Sequence, residues 1–424
     1  MSKQPLAIDQ AVVLIGGRGS GPEEGGRDPR RKLIGLTVLE RLILTAHQAG
    51  VRDFLLAVPD RDAPGGTIPC PEKDERFLQE GLRMKQVPLS GLEDLVRRGR
   101  IKERFWVFDA DVVFDPAILA EAGQDDPSPL RAVAPGIRVC RREALPRAVE
   151  ERTPPGPAAP DAQGRFSIRV RSREDRKKAE RYVLGTGRRP QDGPIAKYFL
   201  RPVALWLTKH LLKLNVTPNT MTAASFAFNL LSVWLIVQGD HRSAVLSTFA
   251  FQFASILDHG DGANARMTFR VSKVGSAVDV LGDSVIYFLY FMGLPIGLYR
   301  ADGRTSWLLL GLILFFSMAL YFISVFRMAR LSDGGPAPVA SGHLFAFARD
   351  IEKKASRGFV ERVIAAIAYI FRSEFFRAAV LVIIIAGGAK ALMGFVLVLF
   401  PMKGIYIAGL AEKRIRGRRR AAAR

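Results

Sequence analysis

Four acidic residues set between apolar runs constrain this chain more than any other feature. The stretch DHGDGANARMTFRVSKVGSAVDVLGD, residues 258–283, follows FAFQFASIL and precedes SVIYFLYFMGLPIGLY. Asp258 and Asp261 are three residues apart, and Asp279 and Asp283 are four apart. On helices, each pair therefore shares a face. An isolated charge in a membrane-spanning helix costs roughly 2.5–3.5 kcal/mol on insertion scales, so four acids require compensation. Crowded carboxylates can partly neutralise through raised pKa values. Hard cations are the other remedy. Two divalent ions carry four positive charges, matching four carboxylates, and oxygen ligands suit Mg²⁺, Mn²⁺ or Ca²⁺.

The residues between the acids fit a bound anion as well as bound cations. Gly262 lets a bulky ligand approach the backbone, Ala265 keeps the same face shallow, and Arg266 offers a guanidinium fork suited to phosphate. Gly275 removes a side chain where two helices and a ligand share space. The pattern is D-x-x-D-G-x-x-A-R, eight residues, then G-x-x-x-D-x-x-x-D. It resembles the signature of the CDP-alcohol phosphotransferase family, with every fixed position present. The resemblance implies an all-α polytopic membrane domain of about six transmembrane helices. It also implies transfer of a substituted phosphate group from a CDP-linked donor to an alcohol, with release of CMP.

In these terms Asp258, Asp261 and Asp279 are metal ligands for two divalent cations, Mg²⁺ or Mn²⁺. Asp283 contributes to the metal site and is the general base. Gly262, Ala265, Arg266 and Gly275 contact CMP. Asn219 and Thr222, in the entry segment VTPNTMT, help hold the nucleotide, and the family implies a homodimer. Thr217 as a helix cap with Pro218 in the first turn is a compatible structural reading of that segment. A reading of another class makes the acids a cation-binding site of a transporter. Glycine-interrupted helices and midplane acids fit it, but it predicts no CMP release and leaves the attached α/β domain unexplained.

The chain has 424 residues, a net charge of +21 and a hydrophobic fraction of 48%. Its length favours two domains. The basic clusters flank apolar runs, which points to anionic lipid as the partner; no basic motif interleaved with aromatic residues indicates nucleic acid. Cys70 and Cys140 have neither metal-ligand spacing nor the density of a disulfide scaffold, as in a reducing compartment. The start, MSKQPLAIDQAVVLIGG, lacks a signal-peptide profile.

The first half is an α/β pattern. AVVLIGG reads as a buried strand running into the loop GGRGSG, LTVLERLILTAHQAG as a helix, and DFLLAV as a second strand. RFWVFDADVVFDP reads as a further strand with Asp109 and Asp111 at its carboxyl end, the edge where open α/β sheets bind ligands. This half is similar to a sugar-phosphate nucleotidyltransferase domain. Gly17, Gly19 and Ser20 resemble its triphosphate loop, Lys32 its phosphate-binding lysine, and Asp111 its metal-binding aspartate.

Two departures matter. Gly21 follows the loop serine where that family usually has arginine, and Arg169 and Arg171, in SIRVRSREDRKKAERYV, stand where acids would complete a second metal site. A cation in place of a ligand repels the metal. The expected domain keeps its shape and has lost, or nearly lost, nucleotidyl transfer. RTPPGPAAPDAQGR is a loop inside it, and its boundary falls near GTGRRPQDG.

Residues 1–190 are thus expected as a cytosolic nucleotidyltransferase-like domain, 191–215 as an interfacial amphipathic helix, 216–411 as the membrane domain and 412–424 as a basic cytosolic tail. The 191–215 segment mixes apolar residues with Lys197, Arg201, Lys209, His210 and Lys213. Six spans are expected at 219–238, 243–267, 275–299, 306–329, 366–388 and 390–410. Basic connections at 268–274 and 330–362 and the tail EKRIRGRRRAAAR place both termini and the acids at the cytoplasmic side of the inner membrane.

Arg327, Arg330, Arg372 and Arg377 are candidates for binding a phosphorylated acceptor such as inositol phosphate; membrane anchoring explains them equally well. The two halves together resemble fused archaeal-type enzymes that make CDP-inositol and then di-inositol phosphate. If the first domain supplies no CDP-inositol, the donor is instead a lipid such as CDP-diacylglycerol, and the product belongs to phospholipid biosynthesis.

Overall fold

A computed structural model describes residues 8–15, 32–60, 77, 82–122, 128–150, 165–189, 192–270, 273–330 and 373–422. The chain forms two compact units, one of Met1–Gly187 with Met267–Arg270 and one of Arg188–Arg266 with Val271–Arg424.

The first unit is built on β1 (Gln10–Leu14). Its five residues are all buried, with Ala11 and Val13 in one apolar cluster and Val12 and Leu14 in another. Alternating side chains therefore feed cores on both sheet faces, which is why Ala11–Leu14 is apolar throughout. A short hairpin of β2 (Lys32–Leu33) and β3 (Leu36–Thr37) leads into α1 (Val38–Ala49). Thr37 and Glu40 form a capping box at the start of α1, satisfying two backbone N–H groups. The chain returns as β4 (Asp53–Val58), parallel to β1 with Val12 opposite Leu55. This is the strand–helix–strand unit expected from DFLLAV, with the small hairpin inserted.

β5 (Arg83–Pro88) joins beyond β4, α2 (Leu92–Arg97) follows, and β6 (Arg104–Asp109) lies parallel to β1 on its other side. RFWVFDADVVFDP is two strands, not one. The backbone turns at Ala110–Asp111, and β7 (Val112–Phe114) leaves the main sheet. After α3 (Ala117–Ala122), β8 (Leu130–Ala134) and β9 (Ile137–Arg141) add antiparallel strands, giving the order β5-β4-β1-β6-β9-β8. α4 (Leu145–Glu150) precedes β10 (Ser167–Arg169), which pairs antiparallel with β7, Arg169 opposite Val112. α5 (Arg173–Thr186) closes the unit behind a Ser172–Asp175 capping box.

The second unit is helical. A π-turn at Ala196–Leu200 runs into α6 (Arg201–Lys213), and then come α7 (Pro218–Gln238), α8 (His241–Met267), α9 (Lys273–Asp302), α10 (Ser306–Arg330) and α11 (Ser373–Ala422). α11 is interrupted at Gly388, whose φ of 72° departs from helix. In the segment 192–215, Tyr198, Phe199, Val203, Trp206 and Leu214 are exposed. Arg201 differs from expectation: it is buried, because it pairs with Asp192 instead of lying on a solvated face.

Small residues let the helices approach closely. A Cβ on Gly297 of α9 would collide with the Ile236 carbonyl of α7, and one on Gly311 of α10 would lie 2.8 Å from Pro295. Hydroxyls supplement this packing: Ser225 donates to the Ala254 carbonyl, and Ser247 donates to the Ser232 carbonyl. Three described helices are long and apolar enough to cross a membrane, Pro218–Gln238, Ser306–Ser324 and Phe375–Ile405. Their outer faces carry exposed Leu230, Trp234, Leu309, Phe316 and Val382, side chains suited to lipid.

Candidate active site

The acidic motif occupies the end of α8 and the start of α9. Asp258, Asp261, Gly262, Ala265 and Arg266 fall in the last three turns of α8, and Gly275, Asp279 and Asp283 in the first three turns of α9. The side chains of Asp279 and Asp283 lie outside the described residues. Asp261 is buried, 4% exposed. The Thr222 hydroxyl, one turn into α7, donates to its Oδ2 at 2.6 Å. Asp258 is more open, with a third of its side chain exposed. The His259 Nδ1 bonds the Ser255 carbonyl at 2.8 Å and stands 3.7 Å from Asp258, so this histidine serves its own helix.

Neighbouring elements fix the motif in place. A Cβ on Gly260 would lie 2.7 Å from the Met221 methyl and 2.8 Å from Thr208 Oγ1, so only glycine lets α8 seat against α7 and α6 here. Asn264 donates to the Val216 carbonyl at 3.1 Å, tying α8 to the start of α7. Thr217 caps α7 by accepting from the Thr220 N–H, and Pro218 sits in the first turn. Asn219 is exposed beside them.

Arg201 forms the strongest tie. Its Nε and Nη2 each donate to Asp192 at 2.8 Å, and its Nη1 donates to the His259 carbonyl at 2.9 Å. A bidentate guanidinium–carboxylate pair is both strong and directional. Burial alone would raise the Asp192 carboxyl pKa. The hydrogen bonds and charge of Arg201, with the Arg189 N–H, outweigh that and hold it below the usual carboxylate range. The pair consequently persists through neutral and mildly acid pH and fails only as pH falls through that lowered value.

Residues 215–400 match a family model described as CDP-alcohol phosphatidyltransferase. This segment is a CDP-alcohol phosphatidyltransferase domain. Relatives extend the likeness into the first unit. A "Bifunctional IPC transferase and DIPP synthase" of Aquifex aeolicus is 22% identical over 71% of this chain and 80% of its own length. A protein of the same name in Rubrobacter xylanophilus is 27% identical over 68% of this chain and 77% of its own. An "Archaetidylinositol phosphate synthase" of Pyrococcus horikoshii is 35% identical over 22% of this chain and 49% of its own. The chain is an enzyme, a transferase of the CDP-alcohol phosphotransferase kind.

In the phosphatidyltransferase domain the described metal candidates are Asp258 and Asp261; among the described residues no group of three or more His, Cys, Asp or Glu converges. The local donor set nevertheless suits a hard divalent cation. It consists of carboxylate oxygens with a hydroxyl neighbour, and Asp261 is a buried carboxylate.

The acceptor candidates fare differently from one another. Arg372 lies outside the described residues, as do the side chains of Arg327 and Arg330 on α10. Arg377 is buried in the bundle. Its Nε donates to the Tyr287 hydroxyl at 2.7 Å, and its guanidinium lies 4.8 Å from the Phe251 ring centroid. Lys403, which the sequence reading passed over, is also buried, with its ammonium 4.8 Å from the Phe376 ring centroid. Aromatic faces attract such cations, so a charge within an apolar run is not by itself a sign of exposure.

In the first unit the Gly17, Gly19 and Ser20 loop lies outside the described residues, and Lys32 is exposed on β2. The acids at the end of β6 are engaged by arginines. Arg138 on β9 holds Asp109 at 3.0 Å, with both side chains almost wholly buried. Arg169 reaches Asp109 at 2.9 Å and Asp111 at 3.3 Å, and Arg171 reaches Asp111 at 3.2 Å. The β7–β10 register sets this up by placing Arg169 opposite Val112, next to Asp111. Gly136 is required at this edge: its φ is +75°, and a Cβ would meet Val112 and lie 3.3 Å from Asp109 Oδ2. Arg138 and Arg169 were not seen as partners of Asp109 from sequence, because 29 and 60 residues respectively separate them in the chain.

Proposed function

We propose that the enzyme transfers a substituted phosphate group from CDP-diacylglycerol to a hydroxyl of a polar alcohol such as inositol phosphate, releasing CMP, in phospholipid synthesis. The match of residues 215–400, with all eight fixed motif positions present, carries this reading. The acceptor oxygen attacks the donor phosphorus that bears the alcohol, the P–O bond to CMP breaks, and CMP leaves with the bridging oxygen. Asp283, as a carboxylate, takes the hydroxyl proton. Asp258, Asp261 and Asp279, with Asp283, would hold two Mg²⁺ or Mn²⁺ ions, which when bound neutralise charge on the diphosphate. Thr222 holds one oxygen of Asp261 by hydrogen bond, and Arg266 lies one turn on from Gly262 to face phosphate. The reading includes six membrane spans, a homodimer, and the active site and both termini on the cytoplasmic side of the inner membrane.

The donor choice rests on the first unit. A nucleotidyltransferase site needs acids free to take metal, whereas Asp109 and Asp111 are paired with Arg138, Arg169 and Arg171. This supports a unit that makes no CDP-inositol. The coverage of both units by relatives named bifunctional favours the second reading, a di-inositol-phosphate-type synthase using CDP-inositol.

Full-length protein in lipid nanodiscs, given inositol phosphate and Mg²⁺ with either CDP-diacylglycerol or CDP-inositol, separates the two. CMP from CDP-diacylglycerol alone is expected, with no pyrophosphate from CTP and inositol phosphate. CMP from CDP-inositol together with pyrophosphate from CTP would establish the second reading.

A further inference from the structure

Two arginines from distant parts of the chain flank the bare backbone of Gly262. A Cβ built there would lie 3.2 Å from Nη2 of Arg189 and 3.4 Å from Nη1 of Arg266. Arg266 belongs to the motif on α8, whereas Arg189 comes from the segment preceding α6. Like charges gathered around one point repel unless an anion joins them. Asp192 is held by the bidentate Arg201, and the Thr222 hydroxyl donates to Asp261. Among the described residues no carboxylate is paired with the Arg189 guanidinium, and its side chain is exposed.

The position of Arg189 is also built. Its N–H donates to Asp192 Oδ2 at 3.3 Å, Asp192 is clamped by the buried Arg201, and Arg201 donates to the His259 carbonyl of α8. A continuous chain of hydrogen bonds therefore references the Arg189 backbone to the motif helix, three residues before Gly262. Preorganisation of this kind reduces the ordering cost of binding. Two planar guanidinium forks over a glycine suit the paired phosphates of a nucleoside diphosphate, since each fork can take one phosphate group.

We propose that Arg189 is a donor-binding residue that, with Arg266, cradles the diphosphate of the CDP-linked donor above Gly262. The inference rests on the CDP-alcohol reading and adds a residue outside its eight-position motif. It gives the segment joining the two units a part in substrate binding.

The test measures CDP and CMP binding to the full-length protein in nanodiscs by calorimetry, together with the KM for CDP-diacylglycerol. Arg189→Gln is expected to weaken CDP binding and raise that KM by about tenfold, in line with loss of one charge-assisted hydrogen bond. CMP binding should weaken less and kcat should change little, while Arg189→Lys recovers part of the loss. Arg188→Gln, a change at the exposed neighbour, should bind CDP as wild type does. If Arg189→Gln binds CDP as tightly as wild type, the cradle is wrong and the CDP-alcohol reading stands. If the wild-type protein itself binds neither CDP nor CMP, both fall together.

Discussion

Replacing Asp283 by asparagine is expected to slow CMP release by roughly 10²–10⁴-fold, the range for loss of a positioned general base. The amide keeps the shape of the carboxylate and cannot take a proton at neutral pH. Asp283 lies one helical turn beyond Asp279 on α9, so the two can serve one site from a common face. Loss of the base lowers kcat, whereas loss of the same carboxylate's share in metal binding would also weaken donor binding. Single-turnover CMP release measured beside CDP affinity distinguishes this from a binding defect. CMP release by Asp283→Asn at the wild-type rate would assign the base elsewhere.

The second large effect is expected in the first unit. Asp109 receives Arg138 and Arg169, and its pair with Arg138 is almost fully shielded from water. Removing one partner of a buried ion pair costs about 3–5 kcal/mol, because the remaining charge stays buried without compensation. Asp109→Ala leaves the Arg138 guanidinium held by the Ala148 carbonyl and without its carboxylate. Hydrogen exchange of peptides from β1 and β6 should accelerate by roughly two to four orders of magnitude, the kinetic equivalent of that loss when exchange follows opening. A metal-site aspartate would behave differently: its removal relieves repulsion and often leaves stability unchanged or higher. Unaltered protection in β6 would therefore contradict the view that arginines have replaced metal at this edge.

What could be read from sequence depended on how far apart the interacting residues are in the chain. The phosphatidyltransferase motif lies within 26 consecutive residues, so helical periodicity alone places its members. β4 and α1 were similarly visible, since an apolar run and apolar residues at helical spacing are local signals. Arg201 was misread because its charge looks like a solvated position, whereas Asp192, nine residues earlier, lets it be buried. Lys403 and Arg377 share that character, held among rings from other helices. The separate strand β7 was hidden because RFWVFDADVVFDP is apolar on both sides of the turn at Asp111. The expectation that Arg169 and Arg171 stand where acids would complete a second metal site came from comparison with a known pattern. The distances show both arginines in contact with Asp111, while the additional grip of Arg138 on Asp109 depends on antiparallel pairing of β6 with β9.

The proposed function requires that the acids of α8 and α9 bind paired hard cations. Mn²⁺ titration of the full-length protein with CMP present, followed by electron paramagnetic resonance, tests it without requiring the acceptor to be known. About two Mn²⁺ per chain are expected from the charge of four carboxylates, and Asp261→Ala should abolish tight binding. Wild-type protein that binds no Mn²⁺ above the Asp261→Ala background, or that releases CMP at full rate in excess chelator, would contradict the account.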